Sequence, residues 1–365
     1  MRILIAPDKF KGSMKALEAA QAIAKGISTV MPDAEFDLAP LADGGEGTVD
    51  VFTGLPGAEV VTLACKDAMG SSQRASYAWI PGERLAVIEM SAASGLAQIP
   101  SSLRDPLRAS TYGTGELIRN AWDLNPAIVA VGLGGSATND AGAGMAVALG
   151  WQFMDGDGAV VDPIPANFLR MKRIIPPSRL ASGETLALCD VRNPLLGERG
   201  CSGVFAPQKG ADNVQILEEA LSWFADLCNR ELGADHRDRP GAGAAGGLGF
   251  GLMTFCGARV VSGFDWIAER IGLEERVRNS DLVITGEGSL DAQTLEGKGP
   301  AALAELSRKH GKRCIAFAGR VEQAARSAFD RCIAISDPST QLSESLSRGA
   351  ELLQVAAERA ARDFV

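Results

Sequence analysis

The stretch Ile128-Val129-Ala130-Val131-Gly132-Leu133-Gly134-Gly135-Ser136-Ala137-Thr138-Asn139-Asp140 decides the fold class. It runs from a short apolar segment, through paired glycines, into the small residues of a helix. A continuous apolar run of this length reads as a strand buried on both faces. Strand, glycine loop and helix is also the setting in which backbone N–H groups and a positive helix end meet an anion. The same alternation recurs outward in both directions. Residues 3–6, 36–41, 60–64, 85–90, 186–189, 282–285, 314–318 and 332–335 read as strands. Helical periodicity is clearest over 15–30, 114–121, 213–230, 300–309 and 343–362, with Ser13 expected to cap the first helix. Strands alternating with helices predict an α/β protein.

The two ends of the chain share short parallel-type strands, each followed by a loop and a helix. The middle is richer in glycine and carries an antiparallel pair, 72–80 and 85–90, joined by Pro81-Gly82-Glu83. This pattern predicts a discontinuous outer domain, 1–64 plus 281–365, with an α/β domain inserted at 65–280 and an active site in the cleft between them. A length of 365 residues suits two cores.

Charge narrows the function classes. Lysine and arginine number 36 against 45 aspartates and glutamates, a net of -9. Such a surface repels nucleic acid and anionic lipid, so neither is an expected partner. The apolar start ends at Pro7-Asp8 and reads as a first strand, not a signal peptide. No apolar run reaches the ~18–20 residues that cross a bilayer. The 7 cysteines form no C-x-x-C pair, which predicts reduced thiols and a cytoplasmic protein. With only His236 and His310, a metal would sit on carboxylate oxygens, which points to Mg2+.

Two glycine-rich loops compete as phosphate cradles. Gly132–Asp140 follows a strand. The second, Pro240–Gly249, holds a literal G-x-G-x-x-G at Gly241, Gly243 and Gly246. A helix and polar residues precede it, so a dinucleotide fold fails on context, leaving a backbone cradle, a flexible closing loop or a packing hinge. Acidic segments follow other strands: Asp43-Gly44-Gly45-Glu46, Asp190 within Cys189–Pro194, and Gly286-Glu287-Gly288-Ser289-Leu290-Asp291. In open α/β sheets ligands gather at the carboxyl ends of strands. Lys9, Lys11, Lys209 and Lys298 supply cations beside these segments. Phosphoryl transfer needs cations, a metal on carboxylates and a base for the acceptor hydroxyl, all present here without histidine.

With Ala6–Ser13, Ala42–Thr48, Tyr112–Ile118, Gly132–Asp140, Cys189–Leu195, Pro207–Ala211, Pro240–Gly249, and Ile284–Gln293 followed by Gly297-Lys298, the sequence resembles the type 1 glycerate kinase family. Two departures stand out, Lys9 where that family usually has serine and Ser289 where it usually has a basic residue. The resemblance implies ATP-dependent phosphorylation of D-glycerate with Mg2+, giving 2-phosphoglycerate in preference to 3-phosphoglycerate. It also implies a flavodoxin-like parallel-sheet domain built from both chain ends, with a mixed-sheet α/β domain inserted. On this reading Gly134, Gly135, Ser136, Thr138 and Asn139 hold ATP phosphates, with Lys209 or Lys298 neutralising charge. Glu287 and Asp291 are the metal candidates. Asp190 is the expected general base, with Asn193 orienting a hydroxyl. Asp8, Lys11, Asp43, Gly45 and Glu46 surround glycerate. The protein is expected as a monomer or homodimer. Three other readings are weaker. Gly132–Ala137 looks like the phosphate loop of galactokinase-type enzymes, whose other segments are missing. A hydroxy-acid sensor would need a nucleic-acid-binding module, and a solute-binding protein would need export.

Overall fold

The computed structural model describes residues 1–179, 183–292, 294, 299–337 and 340–364. In chain order its strands are β1 (Arg2–Ile5), β2 (Glu35–Leu38), β3 (Glu59–Lys66), β4 (Ser72–Ile80), β5 (Leu85–Glu89), β6 (Ile128–Gly132) and β7 (Gln152–Met154). They continue with β8 (Arg173–Ile175), β9 (Glu184–Leu188), β10 (Arg259–Val261), β11 (Leu282–Leu290), β12 (Arg313–Val321) and β13 (Arg331–Ala334). The helices are α1 (Ala16–Ser28), α2 (Thr48–Thr53), α3 (Ser91–Ser94), α4 (Tyr112–Asp123), α5 (Ala143–Ala148), α6 (Cys201–Phe205) and α7 (Val214–Leu232). After them come α8 (Ala244–Cys256), α9 (Gly263–Arg270), α10 (Leu273–Arg278), α11 (Gly299–Lys309), α12 (Leu342–Ser347) and α13 (Gly349–Ala361). The chain divides into two units, Met1–Asp43 with Phe264–Val365, and Gly44–Gly263.

The first unit is built on a five-stranded sheet, ordered β2-β1-β11-β12-β13, with every pairing parallel. Numbered within the unit this is 2-1-3-4-5, the flavodoxin-like order. Ile3, Ile5, Ile284, Ile315 and Phe317 are buried in its core, as expected for parallel strands covered on both faces. Helix α1 turns Ala19, Ile23 and Ile27 inward at helical spacing. It crosses α13 so closely that a Cβ on Gly26 would lie 2.2 Å from the Gln354 carbonyl oxygen.

Several local expectations change in this unit. Ser13 does not cap α1; its hydroxyl donates to the Leu346 carbonyl at 2.7 Å, and Lys15 stands at the cap position. The helix expected over 343–362 is two helices, α12 and α13, parted at Arg348 (φ -109, ψ 15). Strand β11 continues past Thr285 through Gly286-Glu287-Gly288-Ser289 to Leu290, because β12 offers a matching ladder, Glu287 opposite Ala318 and Ser289 opposite Arg320. Those residues are strand, not loop.

The second unit holds a six-stranded mixed sheet, ordered β10-β9-β6-β5-β4-β3. Strands β5, β6, β9 and β10 run parallel, while β3–β4 and β4–β5 are antiparallel. Its core joins Val129, Val131 and Ile88 to Leu117 of α4 and Leu248 of α8, and extends to an aromatic group of Phe153, Phe168, Phe224 and Phe255. The β7–β8 hairpin carries no signal beyond three-residue strands and was not expected.

The boundaries therefore move. The sequence reading ended the outer domain at 64 and resumed it at 281; the units part at 43/44 and 263/264. Strand β3 belongs with the inserted sheet because all eight of its residues pair with β4. No disulfide joins the seven cysteines. Among the described residues, no helix is long and apolar enough to cross a membrane.

Candidate active site

In the second unit the carboxyl ends of β5, β6 and β9 converge on glycines. The segment after β6 lies backbone to backbone against Gly44-Gly45: a Cβ on Gly134 would stand 2.5 Å from the Gly45 Cα. Gly44, at φ +86, lies against Leu188, the last residue of β9. Only glycine on both sides allows this approach. Glu89, the buried last residue of β5, accepts the Val49 N–H at 2.7 Å and so fastens the start of α2. Backbone bonds from Leu96 to the Gly135 carbonyl and from Ala137 to the Ser94 carbonyl hold the other side of the loop.

Lys209 reaches into this loop from the turn Pro207–Lys209 and is 2% exposed. Its Nζ donates to the Ser136 Oγ and to the Thr138 carbonyl oxygen, both at 2.7 Å. Burial pushes the ammonium down to about 8, with Cys201 and Asp140 acting against that shift. An ammonium has three donors and these bonds use two. Asn139 donates from its Nδ2 to the Ser202 Oγ at 3.1 Å, while its Oδ1 and the Thr138 Oγ1 are buried with no partner among the described residues.

The loop ends on Asp140, which is 0% exposed. Its Oδ2 accepts from the Thr111 N–H at 2.7 Å, the Thr111 hydroxyl at 2.8 Å and the Gly144 N–H at 3.1 Å, and its Oδ1 from the Gly142 N–H at 3.3 Å. Burial pushes this carboxyl up, and the four donors pull it back. The sequence reading stopped at Asn139. Asp140 closes the same motif, but nothing local announces that it is buried, and Glu89 and Ser202 were missed for the same reason.

The second glycine-rich segment stands behind this loop. Ala245, Gly246 and Gly247 all have positive φ, and Gly246 accepts the Ala141 N–H at 3.1 Å. Every residue from Gly241 to Leu252 is buried. The segment packs against the back of the first loop through these residues.

Asp190 lies beyond the end of β9 and is exposed. Its Oδ1 accepts from the Ser262 hydroxyl and the Gly263 N–H, both at 2.9 Å. Asn193 spends its amide within its own loop, donating to the Arg199 carbonyl at 2.8 Å, while its carbonyl accepts from Gly243. Glu46 is exposed and Gly45 buried at the start of this unit.

The first unit gathers a separate set. Asp8 follows β1, is buried, and accepts the Lys9 N–H at 2.6 Å, with the Lys9 Nζ 3.8 Å away. Lys9, one of the departures noted above, thus pairs with Asp8. Lys11 is exposed and Asp43 half-buried. Glu287 accepts the Thr294 hydroxyl at 2.7 Å, and that hydroxyl accepts the Asp291 N–H at 3.1 Å, so Thr294 links the Glu287 carboxylate to the backbone of Asp291. Among the described residues no group of three or more His, Cys, Asp or Glu is placed to hold a metal. Carboxylate oxygens are nevertheless the donor type that Mg2+ takes, beside several waters and phosphate oxygens. Lys298 lies outside the described residues.

The chain matches the Glycerate kinase family over residues 3–365. It is 40% identical over 373 residues to a glycerate kinase of Bacillus subtilis (strain 168), covering 100% of this chain and 97% of that protein. It is 42% identical over 327 residues to a glycerate 2-kinase of Escherichia coli (strain K12), covering 87% of this chain and 85% of that protein. A solved structure assigned as glycerate kinase 2 from Salmonella typhimurium LT2 superposes with a TM-score of 0.87 at 38% identity, covering 100% of this chain and 98% of the other. A flavodoxin-like sheet, an inserted mixed sheet and a glycine loop with a buried lysine thus stand in a chain of this ancestry: it belongs to the glycerate kinase family and is a kinase.

Proposed function

We propose that this kinase transfers the γ-phosphoryl group of ATP to the 2-hydroxyl of D-glycerate, with Mg2+ as cofactor. The observation that carries the reading is the buried Lys209 ammonium, bound to Ser136 and Thr138 in a glycine loop at the carboxyl end of β6. A cation with a spare donor, fixed by two hydrogen bonds, is organised before an anion arrives and needs no rearrangement to meet developing charge. Gly134, Gly135, Ser136, Thr138 and Asn139 form the cradle for the nucleotide phosphates. Glu287 and Asp291 would hold the metal, whose chemistry is to offset phosphate charge. Preference for the 2-hydroxyl follows the similarity to the E. coli glycerate 2-kinase.

The glycerate side of the reading rests on Asp8, Lys11, Asp43, Gly45 and Glu46. Asp190 stays as the proposed base because its carboxylate is exposed just beyond the carboxyl end of β9. Asn193 serves as loop support in this reading, since its amide already holds Arg199.

The test is turnover with D-glycerate, ATP and magnesium, the product passed to enolase and pyruvate kinase with and without phosphoglycerate mutase. Signal without mutase is expected. Signal only with mutase moves the phosphate to the 3-hydroxyl, and silence in both from folded protein removes glycerate as the acceptor. In the same assay Asp190→Asn should lose about 10²–10⁴-fold in kcat; turnover within tenfold of the parent removes Asp190 as base.

A further inference from the structure

We propose that Asp140 is a positioning residue of this kinase: its carboxylate ties the loop carrying Ser136, Thr138 and Asn139, on which Lys209 is held, to the starts of α4 and α5. The inference rests on Lys209 being the phosphate-binding cation.

The tie follows from hydrogen bonding. A fully buried carboxyl is costly unless every lone pair in use has a donor. Asp140 accepts four bonds from Thr111, Gly142 and Gly144, and none of these partners is an acceptor toward it. The carboxylate is the form that uses all four. Thr111 extends the tie, since its hydroxyl donates to Asp140 and accepts the Met145 N–H at 2.9 Å. Three segments thus meet on one side chain, immediately before Ala141 and Gly142 turn the chain at φ +48 and +74. A left-handed alanine persists only where its surroundings hold it.

The experiment compares Asp140→Asn, Thr111→Val and Lys209→Met for kcat and both KM values, with folding checked by circular dichroism. Asp140→Asn should lose about 10- to 100-fold in kcat and leave the KM for glycerate near the parent's, because an amide cannot accept from all four donors. Thr111→Val removes one of those donors and should lower kcat in the same way. A folded Asp140→Asn with parental kcat overturns the proposal, and so does one whose KM for glycerate rises as much as its kcat falls. If Asp140→Asn does not fold, Thr111→Val with parental kcat overturns it instead. Lys209→Met separates the two readings: full activity removes Lys209 from phosphate binding, whereas an inactive Lys209→Met beside a parental Asp140→Asn removes only the role of Asp140.

Discussion

At the scale of the residue, Lys209 shows how a site is assembled at the expense of stability. Its folded pKa, about 8, lies below the ordinary 10.5 because burial disfavours the charged form. Below pH 8 both folded and unfolded chains carry the proton, and the full penalty is present. As pH rises past 8 the folded protein releases the proton while the unfolded chain keeps it until about 10.5. The unfolded state then binds more protons, so stability rises with pH across that window. The parent should therefore gain about 3 kcal/mol relative to Lys209→Met between those limits, measured by urea unfolding at a series of pH values. A flat difference would mean that the ammonium is not desolvated. The sequence singled out Lys209 only as one cation among several, since Gln208-Lys209-Gly210 reads like any surface turn. Its burial comes from the segments packed around it.

At the scale of the element, the two glycine-rich segments act as a pair, one against any anion and the other behind it. A Cβ on Gly246 would lie 1.8 Å from the Thr138 carbonyl oxygen, the same oxygen that accepts from Lys209, and its φ is +67. Gly246→Ala should cost about 3 kcal/mol or more, from left-handed backbone and overpacking together, and should lower kcat by displacing Thr138. Gly57 has a similar φ of +77 but nothing within 4 Å of its added Cβ, so Gly57→Ala should cost only about 1 kcal/mol. Equal losses in the two variants, measured by chemical denaturation, would show that the tight contact carries no weight. Parallel strands were legible because burial on both faces leaves unbroken apolar runs such as Ile128–Gly132. The end of β11 was not, because Gly286-Glu287-Gly288-Ser289 has little strand propensity and is held extended by β12.

At the scale of the whole molecule, each unit has its own sheet and its own buried cluster. The second is one uninterrupted segment, Gly44–Gly263. Produced alone it should fold cooperatively, with near-ultraviolet circular dichroism from its packed aromatics, yet phosphorylate nothing, because it lacks Asp8, Glu287 and Asp291, the residues proposed for glycerate and the metal. A fragment without a cooperative transition would show that this core depends on the rest of the chain. The sequence by itself determined the α/β class, the glycine loop after β6 and the family, because these are written in local runs of residues and their order. Only the tertiary structure decided that β3 joins the inserted sheet, that Pro240–Gly249 packs behind the first loop, and that Asp140 and Lys209 are each buried. Each of these depends on which distant segment lies alongside, and neither strand propensity nor residue type encodes that partner.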